Sequence, residues 1–308
     1  MPPMLTELLP PLIPWIVCAV AVIFGTVIQK LSGAGFGMIA APMTALRFAL
    51  VAVPLVFFVK KPKIPLLAVA GYGLLFGCGI WGLVYYAITL GTPAGQSSLL
   101  LQSSAFMTAI AGVVLFSETI SVQKVTGILV AFAGFVLIAK GAFETSSFLG
   151  VALVFLAGLS WTICNVIVRY YKPEDILSFI VWSSLFVPLP ILGYLAIFTS
   201  DLTDIRQLTG WRGITSIIFQ AGVTTIVGYG IWTKMNAKYG LSVVSPYSLI
   251  VPVSGLISAS IFFGESPNNI EILGSLLVVL GLAFMSGLVS GTLRWFCVAK
   301  RRAAVPEG

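Results

Sequence analysis

The sequence predicts an all-α integral membrane protein, with ten transmembrane helices arranged as two inverted five-helix repeats. The first observation behind this prediction is composition: 58% of the 308 residues are hydrophobic and 9% are charged, with a mean hydropathy of +1.07. Soluble domains usually carry about 25% charged residues, so most of this chain is expected to lie in lipid. The second observation is a series of membrane-length apolar runs, and the third is a repeat of half the chain length.

Ten apolar runs account for the predicted helices. Their lengths are close to the roughly 20 residues that a bilayer core requires. The runs are uninterrupted rather than alternating, which favours helices that satisfy every backbone hydrogen bond internally. The first run is expected to remain as a span, because no Lys or Arg precedes it as in a signal peptide. In order, the runs cover residues 12–28, 39–58, 65–87, 97–116, 125–139, 148–168, 176–198, 214–233, 243–263 and 272–291.

Two segments repeat at a shift of 147 residues: LFSETISVQKVTGILVAFAGFVLI, and later FFGESPNNIEILGSLLVVLGLAFM. The phrases CGIW and YGIW repeat at a similar shift of 151. Each half contains five predicted spans, and an odd number makes the second half enter the membrane inverted. We therefore divide the chain into repeats 1–145 and 146–292 and a basic cytoplasmic tail, 293–308. The shift superposes Glu118 on Glu265, Gly127 on Gly274 and Gly134 on Gly281.

The distribution of basic residues predicts the orientation. With the amino terminus in the cytoplasm, twelve Lys and Arg residues fall in inner loops and four in outer loops, which also puts the carboxyl terminus inside. The net charge of +7 then reflects membrane orientation, and no nucleic-acid partner is expected. The inner residues are Lys60, Lys61, Lys63, Lys124, Arg169, Lys172, Lys234, Lys238, Arg294, Lys300, Arg301 and Arg302; the outer ones are Lys30, Lys140, Arg206 and Arg212.

The reactive residue types argue against metal or cofactor chemistry. The chain has no histidine, and its four cysteines form no CxxC pair. A zinc centre, a His-based acid/base pair and a disulfide framework are therefore not expected. We expect no cofactor, no metal and no catalytic residue.

Arg47 is the one formal charge clearly inside a predicted span. Such a charge costs about 2.5–3.5 kcal/mol on insertion scales, so the side chain should face the bundle and have a partner. The functional interpretation is a guanidinium that pairs with a substrate carboxylate or phosphate. The structural alternative is an arginine bonded to groups of neighbouring helices, and the sequence favours neither.

Polar side chains line one face in each of two spans related by the repeat. Ser98 and Gln102 share a face of the fourth span. Ser245, Tyr247 and Ser248 lie in the ninth, which Pro246 and Pro252 interrupt. These side chains are candidates for lining a polar cavity; the alternative is that they hold helices together, as is common in membranes.

Large side chains away from the ends of their runs are further candidates for a substrate pocket, with core packing as the alternative. These are Trp81, Tyr85, Trp161, Asn165, Tyr229 and Trp232. Gly73 and Gly77 form a GxxxG pair, which predicts close helix packing. Glu118 and Glu265 lie at membrane boundaries, where helix capping or loop pairing is favoured over proton transfer.

Several phrases resemble a known family. They are LRFALVAVPLVFFVKKPKIP, GTPAGQSSLLLQ, TIVGYGIW and SLIVPVSGL, together with the two Glu-bearing segments. From about Leu46 to Leu288 the chain is similar to the EamA family of the drug/metabolite transporter superfamily. The resemblance implies a bacterial inner-membrane exporter of small amino-acid metabolites such as cysteine or O-acetylserine. Residues 27–42, VIQKLSGAGFGMIAAP, look more like the TauE/SafE transporters, which are linked to sulfonate and sulfite export.

We therefore expect a secondary transporter that moves a small molecule by alternating access, surrounded by membrane lipid. An exporter of drugs, purines or sulfonates with the same fold is one alternative. A non-transporting scaffold or sensor is an alternative of another class, although the short loops and tails count against it. An intramembrane enzyme is disfavoured because the spans carry no acidic pair and no nucleophile with a base. Protons as coupling ion and a homodimer stay open.

Overall fold

The computed structural model describes residues 40–92, 94–145, 147–198, 210–263 and 268–285. The regular elements in these ranges are all helical, and six helices are long and apolar enough to cross a membrane, which confirms the helical membrane class. Three further predicted spans coincide with shorter apolar helices, Pro42–Leu55, Leu241–Ser254 and Asn269–Met285. The run 12–28 lies outside the described residues, so the count of ten spans stays a prediction. The six long helices are Leu66–Thr89, Gln96–Phe116, Val122–Lys140, Phe148–Tyr171, Ile176–Gly193 and Gly213–Tyr239.

In the first half of the chain, two of the helical rods are interrupted by a change of helix type or by a bend. The elements are α1 (Ala40–Leu55), α2 (Leu66–Leu74), the π-helical segment π1 (Leu75–Gly82), α3 (Leu83–Thr89), α4 (Ala94–Leu101), α5 (Ser103–Phe116) and α6 (Val122–Thr145). The segments α2, π1 and α3 form one continuous rod. Gln102 separates α4 from α5.

The second half repeats this pattern of interruptions. Its elements are α7 (Phe148–Tyr171), α8 (Ile176–Ser184), α9 (Pro188–Phe198), α10 (Trp211–Phe219), π2 (Gln220–Gly228), α11 (Tyr229–Tyr239), α12 (Leu241–Val244), a 3-10 segment (Ser245–Leu249), α13 (Ile250–Phe263) and α14 (Asn269–Met285). A π-helical segment again lies inside the rod formed by α10 and α11. Pro246 falls within the 3-10 segment, whereas Pro252 lies inside α13.

One face of α1 is turned to the protein and the other is exposed. Thr44, Phe48 and Val51 recur at helical spacing and are buried, whereas Leu46 and Leu50 are exposed. Large exposed apolar side chains are what a lipid environment requires. The same periodicity turns Arg47 towards the protein, where it is 2% exposed.

The fourth and ninth spans both break near their middle. Helix α4 ends at Leu101 and α5 begins at Ser103, so the helix is interrupted at Gln102, with φ −67° and ψ −11°. The break lies inside the sequence QSSLLLQSS, whose hydroxyls compete with the backbone for hydrogen bonds. In the ninth span the 3-10 segment Ser245–Leu249 replaces α-helix where Pro246 removes a backbone donor. Adding the repeat shift of 147 to 102 gives position 249, so the two breaks fall at corresponding positions.

Helices α6 and α14 form a close antiparallel seam through four glycines. A Cβ added at Gly127 would lie 2.6 Å from the Gly281 carbonyl oxygen, and one at Gly134 would lie 2.5 Å from the Gly274 carbonyl oxygen. The repeat shift superposes Gly127 on Gly274 and Gly134 on Gly281. Each glycine therefore contacts the image of the other, which is what a two-fold axis through the seam produces.

Further contacts in the seam follow the same reciprocity. A Cβ at Gly134 would lie 2.7 Å from the Val278 nitrogen, and a Cβ at Gly281 would lie 2.5 Å from the nitrogen of Ala131, the image of Val278. The helix pair is thus related by a local two-fold axis. Close backbone approach through small residues is a common way for helices to associate in lipid.

The predicted packing role of the GxxxG pair is confirmed. A Cβ added at Gly73 would collide with the Ser183 carbonyl oxygen, and one at Gly77 would collide with the Val187 side chain. These two glycines let the rod of α2 and π1 approach α8 and the residues after it. This approach brings the rod close to the elements that carry the polar residues described next.

Candidate functional site

Arg47 is held by one hydrogen bond and two aromatic faces. Its Nη1 donates to the side-chain oxygen of Gln220 at 3.0 Å. The guanidinium carbon lies 4.7 Å from the ring centroid of Phe48 and 4.8 Å from that of Trp81. Cation–π contacts of this kind stabilise a cation without neutralising its charge.

Three further donors at Arg47 and Trp81 have no acceptor among the residues that the structure describes. Its Nε and Nη2, and the indole Nε1 of Trp81, are buried and make no hydrogen bond within the described ranges. All ten Asp and Glu residues of the sequence fall outside the predicted spans, so no carboxylate at membrane depth compensates the charge. A buried cation with free N–H donors is an anion receptor in chemical terms.

Aromatic rings extend from Arg47 across the bundle, and we call Phe48, Phe76, Trp81, Tyr85, Trp161 and Tyr229 the aromatic cage. Phe76 contacts Phe48 edge-on at 5.9 Å and Tyr229 at 4.7 Å between centroids. Trp161 lies 6.3 Å from both Phe76 and Tyr229. The structure therefore brings together five of the residues predicted from the sequence, Arg47, Trp81, Tyr85, Trp161 and Tyr229.

Tyr85 links the cage to α1. The hydroxyl of Thr44 donates to the Tyr85 hydroxyl at 3.2 Å, and the Tyr85 ring lies 6.1 Å from Trp81. A small cavity adjoins the cage on the side of Tyr72, Phe76 and Thr225. It has room for about one water molecule.

A second buried cluster, the amide network, surrounds Asn165 on α7. The Asn165 side-chain oxygen accepts from Trp232 Nε1 and from Asn236 Nδ2, each at 3.1 Å. Its Nδ2 donates to the Thr108 hydroxyl at 3.3 Å, which in turn donates to the Thr162 hydroxyl at 3.2 Å. The network thus joins α5, α7 and α11 and brings together two more predicted residues, Asn165 and Trp232.

A third polar cluster lies just after the end of α5 and at the last turn of α7, and we call it the Glu118 clamp. Glu118 Oε1 accepts from the Leu241 N–H at 3.1 Å and forms an ion pair with Arg169 Nε at 3.0 Å. Its Oε2 accepts from the N–H and hydroxyl of Ser242 at 2.9 and 2.6 Å. Arg169 also donates to the Ala237 carbonyl oxygen at 2.9 Å. The predicted capping role of Glu118 is confirmed, and the helix it caps belongs to the second half of the chain.

Two glycines make room for the Glu118 carboxylate. A Cβ at Gly112 would lie 2.7 Å from Oε2, and one at Gly240 would lie 2.5 Å from Oε1. Gly240 has φ +93°, and so does Gly91, at the corresponding turn before the fourth span. Both turns require glycine because other residues rarely adopt this backbone conformation.

The hydrogen bonds of the clamp favour an ionised carboxylate. Burial by itself would raise the pKa of Glu118, but the bonds from Ser242 and Leu241 and the charge of Arg169 outweigh it, so the pKa lies below its ordinary value. The side chain is 10% exposed. Glu118 therefore acts at neutral pH as a fixed negative charge at a helix start.

The cage, the network and the clamp follow one face of α7. Trp161, Asn165 and Arg169 are spaced four residues apart, which places each about 6 Å further along the helix. Tyr229, Trp232 and Asn236 follow the same order on α11. The three clusters therefore form a continuous column from the buried guanidinium to one end of the bundle.

The other predicted site residues lie in the fourth and ninth spans. Ser98 is exposed on α4, and Gln102 is half-buried at the break. The hydroxyls of Ser245 and Ser248 bond to carbonyls of their own segment, at Leu241 and Ser245. Tyr247 is buried in the apolar core. For these five residues, a role in substrate binding stays a prediction.

The clusters also contain polar residues that were not predicted as site residues, among them Gln220, Thr108 and Asn236. Gln220 binds Arg47, and Thr108 and Asn236 complete the amide network. Gln220 is the one amide side chain in the predicted span 214–233. Like Arg47, it is a strongly polar residue within an apolar run, and this could have marked it as a site residue. Asn236 lies just after that run, where a polar residue is unremarkable.

Apolar spans around a buried cationic site define a multi-pass membrane protein with an internal polar centre. A model of the EamA-like transporter family matches residues 148–287. The probable amino-acid metabolite efflux pump of Salmonella typhimurium (strain LT2) is 35% identical over 248 residues, which cover 78% of this chain and 83% of that protein. Its Escherichia coli (strain K12) counterpart is 34% identical with the same coverage. The chain belongs to the EamA-like transporter family.

More distant relatives share the architecture. A probable terminal-alkyne amino-acid exporter of Streptantibioticus cattleyicolor is 21% identical over 283 residues, covering 87% of this chain and 90% of that protein. A solved crystal structure superposes with a TM-score of 0.68 at 17% identity and covers 94% of this chain and 98% of the other, so the two share a fold. The relatives are named as transporters or exporters, which is the class expected from the sequence, and none of these names is that of an enzyme.

Proposed function

We propose that this protein exports small amino-acid metabolites, such as cysteine or O-acetylserine, across the bacterial inner membrane by alternating access. The observation that carries the proposal is Arg47, which is 2% exposed and keeps two buried nitrogens without an acceptor among the described residues. A substrate carboxylate supplies the anion that this guanidinium lacks, in a bidentate geometry that Arg favours. The names of the two relatives at 34–35% identity support the substrate class.

The aromatic cage is the proposed binding compartment. The rings of Phe48 and Trp81 cover the guanidinium, and Arg47 is 2% exposed, so water is kept away from the charge, which strengthens the attraction between Arg47 and a carboxylate. The ammonium group of an amino acid can lie against the faces of Trp161 and Tyr229 by cation–π contact. The small size of the adjoining cavity supports a compact substrate and a closed conformation around it.

We extend the local two-fold axis of the α6–α14 seam to the whole halves, 1–145 and 146–292, as inverted five-helix repeats. Three pairs of corresponding features support this extension: the breaks at Gln102 and in Ser245–Leu249, the segments π1 and π2, and the turns at Gly91 and Gly240. Two halves with the same preferred states can exchange conformations, which opens a central site to each side in turn. Discontinuous helices at such a site are typical of secondary transporters.

The Glu118 clamp is the proposed closed gate at the cytoplasmic end. It joins the end of α5 in the first half to α7, α11 and α12 in the second, so the halves cannot separate there while it holds. The basic residues of the predicted inner loops support the assignment of this end, and of both termini, to the cytoplasm. Loss of the clamp would open the column of polar residues that leads to Arg47.

The test is transport by the purified protein in liposomes. We expect it to accelerate the exchange of radiolabelled L-cysteine and O-acetylserine over empty liposomes, and Arg47→Ala to lose most of this activity. Removing one charge-assisted pair of about 1.5–3 kcal/mol corresponds to a loss of roughly tenfold or more. Comparison with and without a pH gradient tells whether protons are the coupling ion.

Lys63→Ala is the matched control, because it also removes a cation. Lys63 forms an ion pair with Glu174 at the surface, where the two side chains are 88% and 82% exposed. We expect this variant to transport like the wild type. Exchange of a drug, a purine or a sulfonate but of neither amino-acid metabolite would reject the substrate class. No exchange of any of these solutes would favour a scaffold or sensor and reject transport itself.

A further inference from the structure

The partner of Arg47 is an amide, and its orientation is fixed by chemistry. A guanidinium only donates hydrogen bonds, so Gln220 must present its oxygen, which lies 3.0 Å from Arg47 Nη1. Its Nε2 then faces the Met43 sulfur at 3.0 Å and the Ser216 hydroxyl at 3.4 Å. Both ends of the amide therefore have a neighbour of the right polarity.

An amide satisfies a donor of Arg47 without changing the charge of the site. The two ion pairs among the described residues, Lys63–Glu174 and Arg169–Glu118, do not include Arg47. A glutamate at position 220 would have nearly the same shape and could accept the same hydrogen bond. It would also cancel the positive charge, so the choice between Gln and Glu decides the electrostatics of the cage.

We propose that Gln220 determines the charge selectivity of the transporter by keeping the Arg47 site cationic. Ligands with a free carboxylate are bound, and otherwise similar amines without one are rejected. The inference rests on the proposed function insofar as it takes Arg47 as the substrate site. It assigns selectivity to a residue that need not touch the substrate and that acts through Arg47.

The structure gives two reasons why Gln220 can hold this role. It begins π2, and its carbonyl oxygen accepts from the Thr225 hydroxyl at 2.8 Å, so both main chain and side chain are fixed. π-Helical segments occur frequently at functional sites because they re-aim side chains within a helix. Gln220 itself is half-buried, and Ser216, one turn earlier, is 4% exposed, so a charge on this side of the helix is screened less than a charge at the surface.

The experiment compares ligands that differ by the carboxylate. Binding of L-cysteine and of cysteamine, its decarboxylated analogue, is measured by thermal shift in detergent and by competition with L-cysteine exchange in liposomes. We expect the wild type to prefer L-cysteine and Gln220→Glu to reverse this preference, by about tenfold or more in the affinity ratio. Gln220→Leu removes the hydrogen bond but leaves the charge, so it should bind both ligands more weakly and keep the wild-type preference.

A second variant guards against a misfolded Gln220→Glu protein. Ser216→Asp introduces a carboxylate beside an intact Gln220, and we expect it to weaken the preference for L-cysteine in the same direction. A Gln220→Glu protein with the wild-type ratio would overturn the inference. So would equal ratios in Gln220→Glu and Gln220→Leu, because the residue would then be only a structural partner.

Acetate and ethylammonium repeat the comparison on binding alone, as the smallest carboxylate and amine probes. Acetate should stabilise the wild type and not Gln220→Glu. This comparison distinguishes the two proposals. If the wild type binds acetate selectively but exchanges no cysteine, the proposed function is rejected and the role of Gln220 is supported. A wild type and a Gln220→Glu variant with the same response to both probes reject the role of Gln220.

Discussion

Replacing Glu118 by Gln should release the clamp, and the size of the effect follows from its geometry. The Glu118 carboxylate accepts three hydrogen bonds, one from the Leu241 N–H and two from the N–H and hydroxyl of Ser242, and its Oε1 also forms an ion pair with Arg169 Nε. In Glu118→Gln, an NH2 donor replaces one carboxylate oxygen. Two of the four contacts therefore lose their acceptor oxygen, and the negative charge of the side chain is removed. Hydrogen bonds to a charged group contribute about 1.5–3 kcal/mol each. Because the Ser242 hydroxyl can turn to a new partner, we expect the free energy that stabilises the closed state to fall by about 2–3 kcal/mol in total.

Two measurements detect this loss. The melting temperature in detergent should fall by roughly 5–10 °C. The ratio of closed to open protein should fall by about 30–150-fold. A cysteine at position 104, which is 6% exposed beside the amide network, reports opening through its rate of maleimide labelling once the natural cysteines are replaced. We expect labelling at least tenfold faster in the Glu118→Gln background.

The matched control is Glu174→Gln, which breaks a pair at 3.4 Å between two largely exposed side chains and should change neither measurement. The pH dependence gives a further check. Because the folded-state pKa of Glu118 is lowered, its contribution is complete above the unfolded pKa of about 4.3 and disappears as the pH falls through the folded value. The difference between wild type and Glu118→Gln should shrink over that acid range. Melting and labelling equal to those of Glu174→Gln would refute the clamp.

Two other parts of the structure make predictions of their own. Gly134→Ala and Gly281→Ala place a methyl group within 2.5 Å of the facing backbone, so each should destabilise the protein by about 1–3 kcal/mol. Because the two positions correspond in the repeat, the two variants should have the same melting temperature, and unequal decreases would contradict the two-fold seam. Gly71→Ala is the control, because a Cβ there meets open space, and this variant should melt like the wild type. Asn165→Leu removes three buried hydrogen bonds and should cost about 3 kcal/mol, and an unchanged melting temperature would show that the amide network contributes nothing.

The sequence was informative wherever a property depends on one residue and its solvent. Helical class followed from uninterrupted apolar runs, and the inward direction of Arg47 followed from the cost of a charge in lipid. The identity of its partner did not, because Gln220 lies 173 residues away and meets Arg47 only through tertiary packing. For the same reason Glu118 was recognised as a capping residue, whereas the helix that it caps was not.

Interruptions within helices were harder to predict than helices. Pro246 marked the irregular part of the ninth span, but hydropathy carries no signal for the π-helical segments Leu75–Gly82 and Gln220–Gly228. These segments re-aim side chains without changing the apolar character of the rod. Trp81 lies in the first of these segments and Gln220 begins the second, and both side chains contact Arg47.

The reciprocal glycines of the α6–α14 seam bear on how such a chain could arise. In a symmetric homodimer, a residue of one subunit contacts a second residue of the other subunit, and the reverse contact also occurs. The glycines of the α6–α14 seam show this pattern within a single polypeptide. In an ancestor made of separate half-length copies, one mutation at a single codon would have changed both sides of this interface at once. The seam therefore has the geometry of a symmetric dimer interface formed within one chain.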